Sequence, residues 1–67
     1  VIIQLNGEPF TVAEGTETVA DLVAALNLVS RIIVVEHNRT VLMRDDYPRV
    51  GLQDGDQVEI VQFVGGG

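Results

Sequence analysis

In the run GTETVADLVAALNL, Val19, Leu22, Val23 and Leu26 recur at i, i+3, i+4 and i+7, which is one apolar face of an α-helix. A helix of two to three turns is not stable on propensity alone, so this face must be held against an apolar surface. The segments on both sides of it are rich in β-branched residues and broken by turn signals. The helix therefore predicts a sheet made from the chain before and after it. Its ends are marked as well. Thr18 stands three before Asp21, as in a capping box, and Asp21 complements the positive end of the helix dipole. Asn27 is the expected stop.

The strands follow from local chemistry. VIIQLNGEPFTV holds two β-rich runs around Asn6-Gly7, a pair suited to the positive φ angles of a type I′ hairpin turn. Ile3 and Leu5 alternate with Gln4 and Asn6, the pattern of a half-buried strand. Pro9 cannot donate to a ladder, which places its strand at the sheet edge. RIIVVEHN reads as a third strand with Asn38 in the turn after it, and TVLM as a short fourth. RDDYPRVGLQDGDQ is rich in turn residues, and QVEIVQFV is the last strand. If that strand lies beside the first, the two run parallel at the sheet centre, with the helix across one face. The expected class is α+β, a mixed sheet of four or five strands under a single helix, with the domain over 1–64 and a flexible glycine tail over 65–67.

Parity along the last strand singles out a candidate surface. Val58 and Ile60 should face the helix, which leaves Glu59, Val61 and Phe63 on the outer side and Gln62 inward near the end. Val61 and Phe63, with Val64 and Gly65 after them, form a candidate partner-binding patch at the root of the tail.

Composition narrows the function classes. With 67 residues the chain is one domain, and with no cysteine it has neither a disulfide framework nor a thiolate metal site. Hydrophobic residues make up 46% while the aromatics are only Phe10, Tyr47 and Phe63, so an aliphatic core is expected. Ten acids against Arg31, Arg39, Arg44 and Arg49 give a net charge of −6, which disfavours nucleic acid and anionic membranes. It suits basic partners or simple solubility. No apolar run approaches a membrane span and no leader opens the chain, so a cytoplasmic protein, monomeric when free, is the expectation.

No side-chain constellation resembles an active site. His37 has no serine or cysteine motif around it, and a solvated or capping role is expected. Asp45-Asp46 and Asp54-Gly55-Asp56 lack calcium-loop spacing, and aspartates in turns bond their own backbone, so no metal is expected. The closing Gly65-Gly66-Gly67 is no phosphate loop, since no helix and no lysine follow. What remains is the carboxylate of Gly67, ionised at neutral pH with a reference pKa of about 3.5. It becomes an electrophile once joined to AMP as a mixed anhydride. Glycines without Cβ can thread a narrow channel, and three extended residues reach about 10 Å. The chain also lacks lysine and cysteine, side chains that an activated tail would otherwise acylate.

Taken together, LNGEPFTV, GTETVADLVAAL, DGDQVEIVQFV and the final GGG resemble the ThiS family, the ubiquitin-like sulfur carriers of thiamine biosynthesis, over essentially the whole chain. The resemblance implies a β-grasp fold, with Gly66 and Gly67 matching the family's terminal pair. It implies that a ubiquitin-activating-like adenylyltransferase uses ATP to adenylate Gly67. A persulfide donor then supplies sulfur, and the resulting thiocarboxylate delivers it to thiazole synthase. No bound cofactor is implied, and the protein serves as a cosubstrate rather than an enzyme. The small subunit of molybdopterin synthase shares this chemistry and is the alternative. A ubiquitin-like modifier or interaction module is a third.

Overall fold

The computed structural model describes residues 1–64; Gly65, Gly66 and Gly67, and with them the expected tail over 65–67, lie outside the described residues. The elements run β1 (Ile2–Leu5), β2 (Glu8–Thr11), α1 (Val19–Ala25), β3 (Ile32–His37), β4 (Thr40–Leu42), a 3₁₀ segment (Arg44–Arg49) and β5 (Gln57–Phe63). The five strands form one sheet in the order β2-β1-β5-β3-β4. β1 and β5 are parallel, and every other neighbouring pair is antiparallel. The first and last strands thus meet at the centre, as their patterns predict, and β2 with its Pro9 lies at an edge.

Both hairpins turn on left-handed residues. Asn6 has φ 51° and Gly7 φ 83°, the geometry that the Asn-Gly pair predicts. In the second hairpin Asn38 (φ 49°) is followed by Arg39 at φ 72°. Outside glycine that backbone costs about 1–2 kcal/mol, which the β3–β4 pairing must offset.

The helix is held at both ends by its own sequence. Asp21 Oδ2 accepts from the backbone N–H groups of Glu17 (3.0 Å) and Thr18 (3.1 Å), while Thr18 Oγ1 accepts from Asp21 N (3.2 Å). The Glu17 bond, then the Thr18 bond, hold the Asp21 carboxyl below its usual pKa. At the other end Asn27 adopts φ 60°. Leu28 N then bonds Val23 O and Asn27 N bonds Ala24 O, both at 3.0 Å. This pair of bonds is a Schellman motif, which satisfies carbonyls that the helix end leaves open.

Ile3, Val12, Val19, Leu22, Val23, Val35, Val58 and Ile60 form the buried aliphatic core, joined by Tyr47. Tyr47 is brought inward by the 3₁₀ segment, where the sequence pattern showed only turn residues. The chain after it is fastened to the helix start by Val19 N to Val50 O (2.9 Å) and Leu52 N to Glu17 O (2.8 Å). No helix among the described residues is long and apolar enough to cross a membrane.

Candidate functional site

β5 has a strand on each side only near its start, where β1 pairs with Gln57 and Val58, and its two ends differ in what surrounds them. At the Gln57 end the carboxylate of Asp56 is buried. Its Oδ2 accepts from His37 Nε2 (2.8 Å) and Gln53 N (2.9 Å), and its Oδ1 from Asn38 Nδ2 (3.2 Å). Asn38 Oδ1 accepts in turn from Gln57 N (2.9 Å). Burial pushes the Asp56 carboxyl up, but the bonds from Gln53, His37 and Asn38 outweigh it and leave the pKa below the usual carboxylate value. His37 is thereby committed to a structural bond, in keeping with a capping role. In the Asp-Gly-Asp turn only Asp56 bonds nearby backbone, at Gln53 N; Asp54 Oδ1 instead accepts from Ile2 N on β1 (2.7 Å), a contact the turn chemistry does not predict.

At the other end the outer face opens. Val61 and Phe63 are each 53% exposed and Val64, just past the strand, is 91% exposed. Val58 and Ile60 are buried on the helix side, so the expected parity holds. Across the sheet Val61 is opposite Val34, and Phe63 is opposite Ile32, itself an exposed residue. Ile32, Val34, Val61 and Phe63 therefore make a continuous apolar strip on the face away from α1. Its next rung is Glu36 opposite Glu59, with Val41 beyond Glu36 on β4. Ile32 and Val34 were not legible as surface residues, because a run of β-branched residues has no alternation to mark its inner side. The rung-by-rung pairing with Val61 and Phe63 is what exposes them. Gly65, Gly66 and Gly67, the other expected site residues, lie outside the described residues.

Chemically, the arrangement offers an exposed apolar face with no reactive group on it. Among the described residues no group of three His, Asp or Glu side chains is placed to hold a metal ion. The one histidine is bonded to Asp56 rather than poised beside a nucleophile.

The profile of the ThiS family matches residues 3–67. The chain is 41% identical over 66 residues to the sulfur carrier protein ThiS of Bacillus subtilis, covering 98% of this chain and all of that one. It is also 43% identical over 65 residues to a thiazole synthase of Magnetococcus marinus, covering 97% of this chain and 20% of that protein. The crystal structure of thiamine biosynthesis protein ThiS from Geobacter metallireducens superposes with a TM-score of 0.81 at 35% identity, over the full length of both chains.

Proposed function

The chain belongs to the ThiS family, and from that premise we propose that it is a sulfur carrier for the thiazole branch of thiamine biosynthesis, acting through the carboxylate of Gly67. The observation that carries this reading is the full-length match to a named sulfur carrier, with a family match that runs through Gly66 and Gly67. An adenylyltransferase joins the carboxylate to AMP from ATP, releasing pyrophosphate. The terminal sulfur of a persulfide displaces AMP, and a thiol cleaves the resulting acyl disulfide to leave the thiocarboxylate. The chain contributes the consumed acyl group and the surface that presents it. Catalysis belongs to its partners, and the setting is cytoplasmic.

The apolar strip formed by Ile32 and Val34 on β3 and Val61 and Phe63 on β5 lies beside the end of the strand that precedes the glycines in sequence, and exposed Val64 follows it. These residues suit a partner that seats the domain while drawing the tail inward. Thiazole synthase is the partner supported by similarity, since thiazole synthases carry a segment like this chain. The thiamine and thiazole names of the relatives favour this role over molybdopterin synthase.

Reconstitution tests the reading. With activating enzyme, ATP and a persulfide donor, intact mass should show one oxygen replaced by sulfur, about 16 Da heavier (the difference of the two atomic masses). Deleting Gly66 and Gly67 should abolish that product and leave the thermal unfolding midpoint unchanged, because both follow the last strand. Sulfur incorporation into the truncated chain would overturn the reading.

A further inference from the structure

The hydrogen bonds that join β1 to β5 stop before β5 does. Gln4 N donates to Asp56 O (2.8 Å) and Asn6 N to Val58 O (2.9 Å), so the even-numbered residues of β5 turn their backbone toward β1. At Ile60 a side chain takes over. Asn6 Oδ1 accepts from Ile60 N (2.8 Å) and Asn6 Nδ2 donates to Ile60 O (3.3 Å), so the amide stands in for both halves of a peptide group. Two residues further, the N–H and C=O of Gln62 point the same way, but the β1 register ends at Leu5 opposite Val58. Among the described residues no hydrogen bond reaches Gln62 from that side. The backbone groups of Val61 and Phe63 face β3 instead.

Beside this open edge runs a groove of about 290 Å³, lined by Leu5, Asn6, Leu26, Leu28, Ile60 and Gln62. No lining side chain is charged. A strand edge with unpaired donor and acceptor, next to an apolar groove, recognises an extended chain: the backbone extends the sheet and one side chain fills the groove.

We propose that an extended, apolar segment of thiazole synthase pairs with β5 at Gln62 and lodges one apolar side chain among Leu5, Leu26, Leu28 and Ile60. This rests on the sulfur-carrier reading above. Two observations select that occupant. Gln62 stands three positions before Gly65, so an enzyme that engages the closing residues lies within reach of this edge. Thiazole synthase is also the enzyme in which a segment similar to this chain occurs within the same polypeptide. A second copy of the chain is disfavoured by its net charge of −6, which brings like charge together in any self-pairing.

A backbone ester tests this. Full-length chains made by chemical ligation would carry an ester in place of the Val61–Gln62 amide, which removes one N–H and no side chain. A control chain carries the ester in place of the Phe10–Thr11 amide. Thr11 lies on the edge strand β2, where Val12 N bonds Val1 O, so the Thr11 N–H faces outward too. Thermal unfolding verifies that both esters fold. The expected result is that the Gln62 ester binds thiazole synthase about fivefold more weakly than the all-amide chain, the equivalent of one hydrogen bond, while the Thr11 ester binds equally. In the all-amide complex the Gln62 amide should exchange at least about tenfold more slowly than in the free chain. Binding with equal affinities and an unprotected Gln62 amide would overturn the proposal and leave the carrier reading standing. No binding by the all-amide chain would sink that reading and the proposal with it. Self-association abolished by the Gln62 ester would make a second copy the occupant and likewise overturn the proposal.

Discussion

The Gln57 end of β5 and its Phe63 end belong to one seven-residue strand, yet they solve opposite problems. The first is flanked by strands on both sides and closed by a buried carboxylate whose hydrogen bonds come from two separate segments, Gln53 before it and His37-Asn38 across the sheet. The second, among the described residues, is flanked by β3 alone and shows its outward side chains to solvent. A strand that must present something beyond its end needs an anchored root and an unencumbered tip. The contrast puts the buried polar contacts at one end and the exposed apolar surface at the other, so stability and the proposed recognition should be separable by mutation.

The largest expected effect is at the root. Asp56→Ala leaves the donors on Gln53, His37 and Asn38 without their acceptor and should cost about 1–3 kcal/mol, read from urea unfolding. For a domain this small that is a large part of its stability. The pH dependence sharpens the point. Because the folded-state pKa of Asp56 is lowered, its contribution is fully present above the unfolded value of about 3.9 and is lost as the pH falls below it. Asp56→Asn should therefore flatten the fall in melting temperature between pH 5 and pH 3. An unchanged acid limb would show that Asp56 does not carry it.

Next comes the tip. Replacing Val61 and Phe63 together by serine should shift stability by no more than about 0.5 kcal/mol per site, since both are about half exposed. Binding to thiazole synthase should weaken about tenfold or more, because exposed apolar anchors carry much of an interface's energy. A variant that unfolds readily but binds normally would reverse the assignment of the two ends.

The smallest effect concerns the boundary between them. Asn6→Gly keeps the left-handed turn but removes the amide that bonds Ile60 on both sides. It should cost about 1 kcal/mol and accelerate hydrogen exchange at Ile60 more than at Val58. Equal acceleration at both would mean that the side chain supports the whole hairpin rather than this one rung.

Much of this architecture is written locally. Asn6-Gly7 needs only its own two residues to specify a turn, Thr18 and Asp21 cap a helix from three positions apart, and the β5 parity follows from alternation. What escaped the sequence depends on distance along the chain. Asp56 meets His37 nineteen residues away, and Asn6 reaches Ile60 fifty-four away, so no window of pattern contains either contact. Tyr47 enters the core from a segment whose Asp and Pro residues mark turns without marking an inner side. Arg39 occupies a backbone conformation its residue type rarely adopts, because the hairpin around it imposes that geometry. At the candidate site the half on β5 was legible and the half on β3 was not. Ile32 and Val34 acquire their role only once Phe63 and Val61 lie opposite them.

The antiparallel register of β3 with β5, from Ile32–Phe63 through His37–Val58, has a mechanical consequence. Tension applied beyond Phe63 acts along the strand, while the β3–β5 hydrogen bonds lie across it. The load then falls on the whole row in shear instead of peeling bonds one at a time. Force applied along β5 past Phe63 is therefore shared by six paired positions of β3 at once.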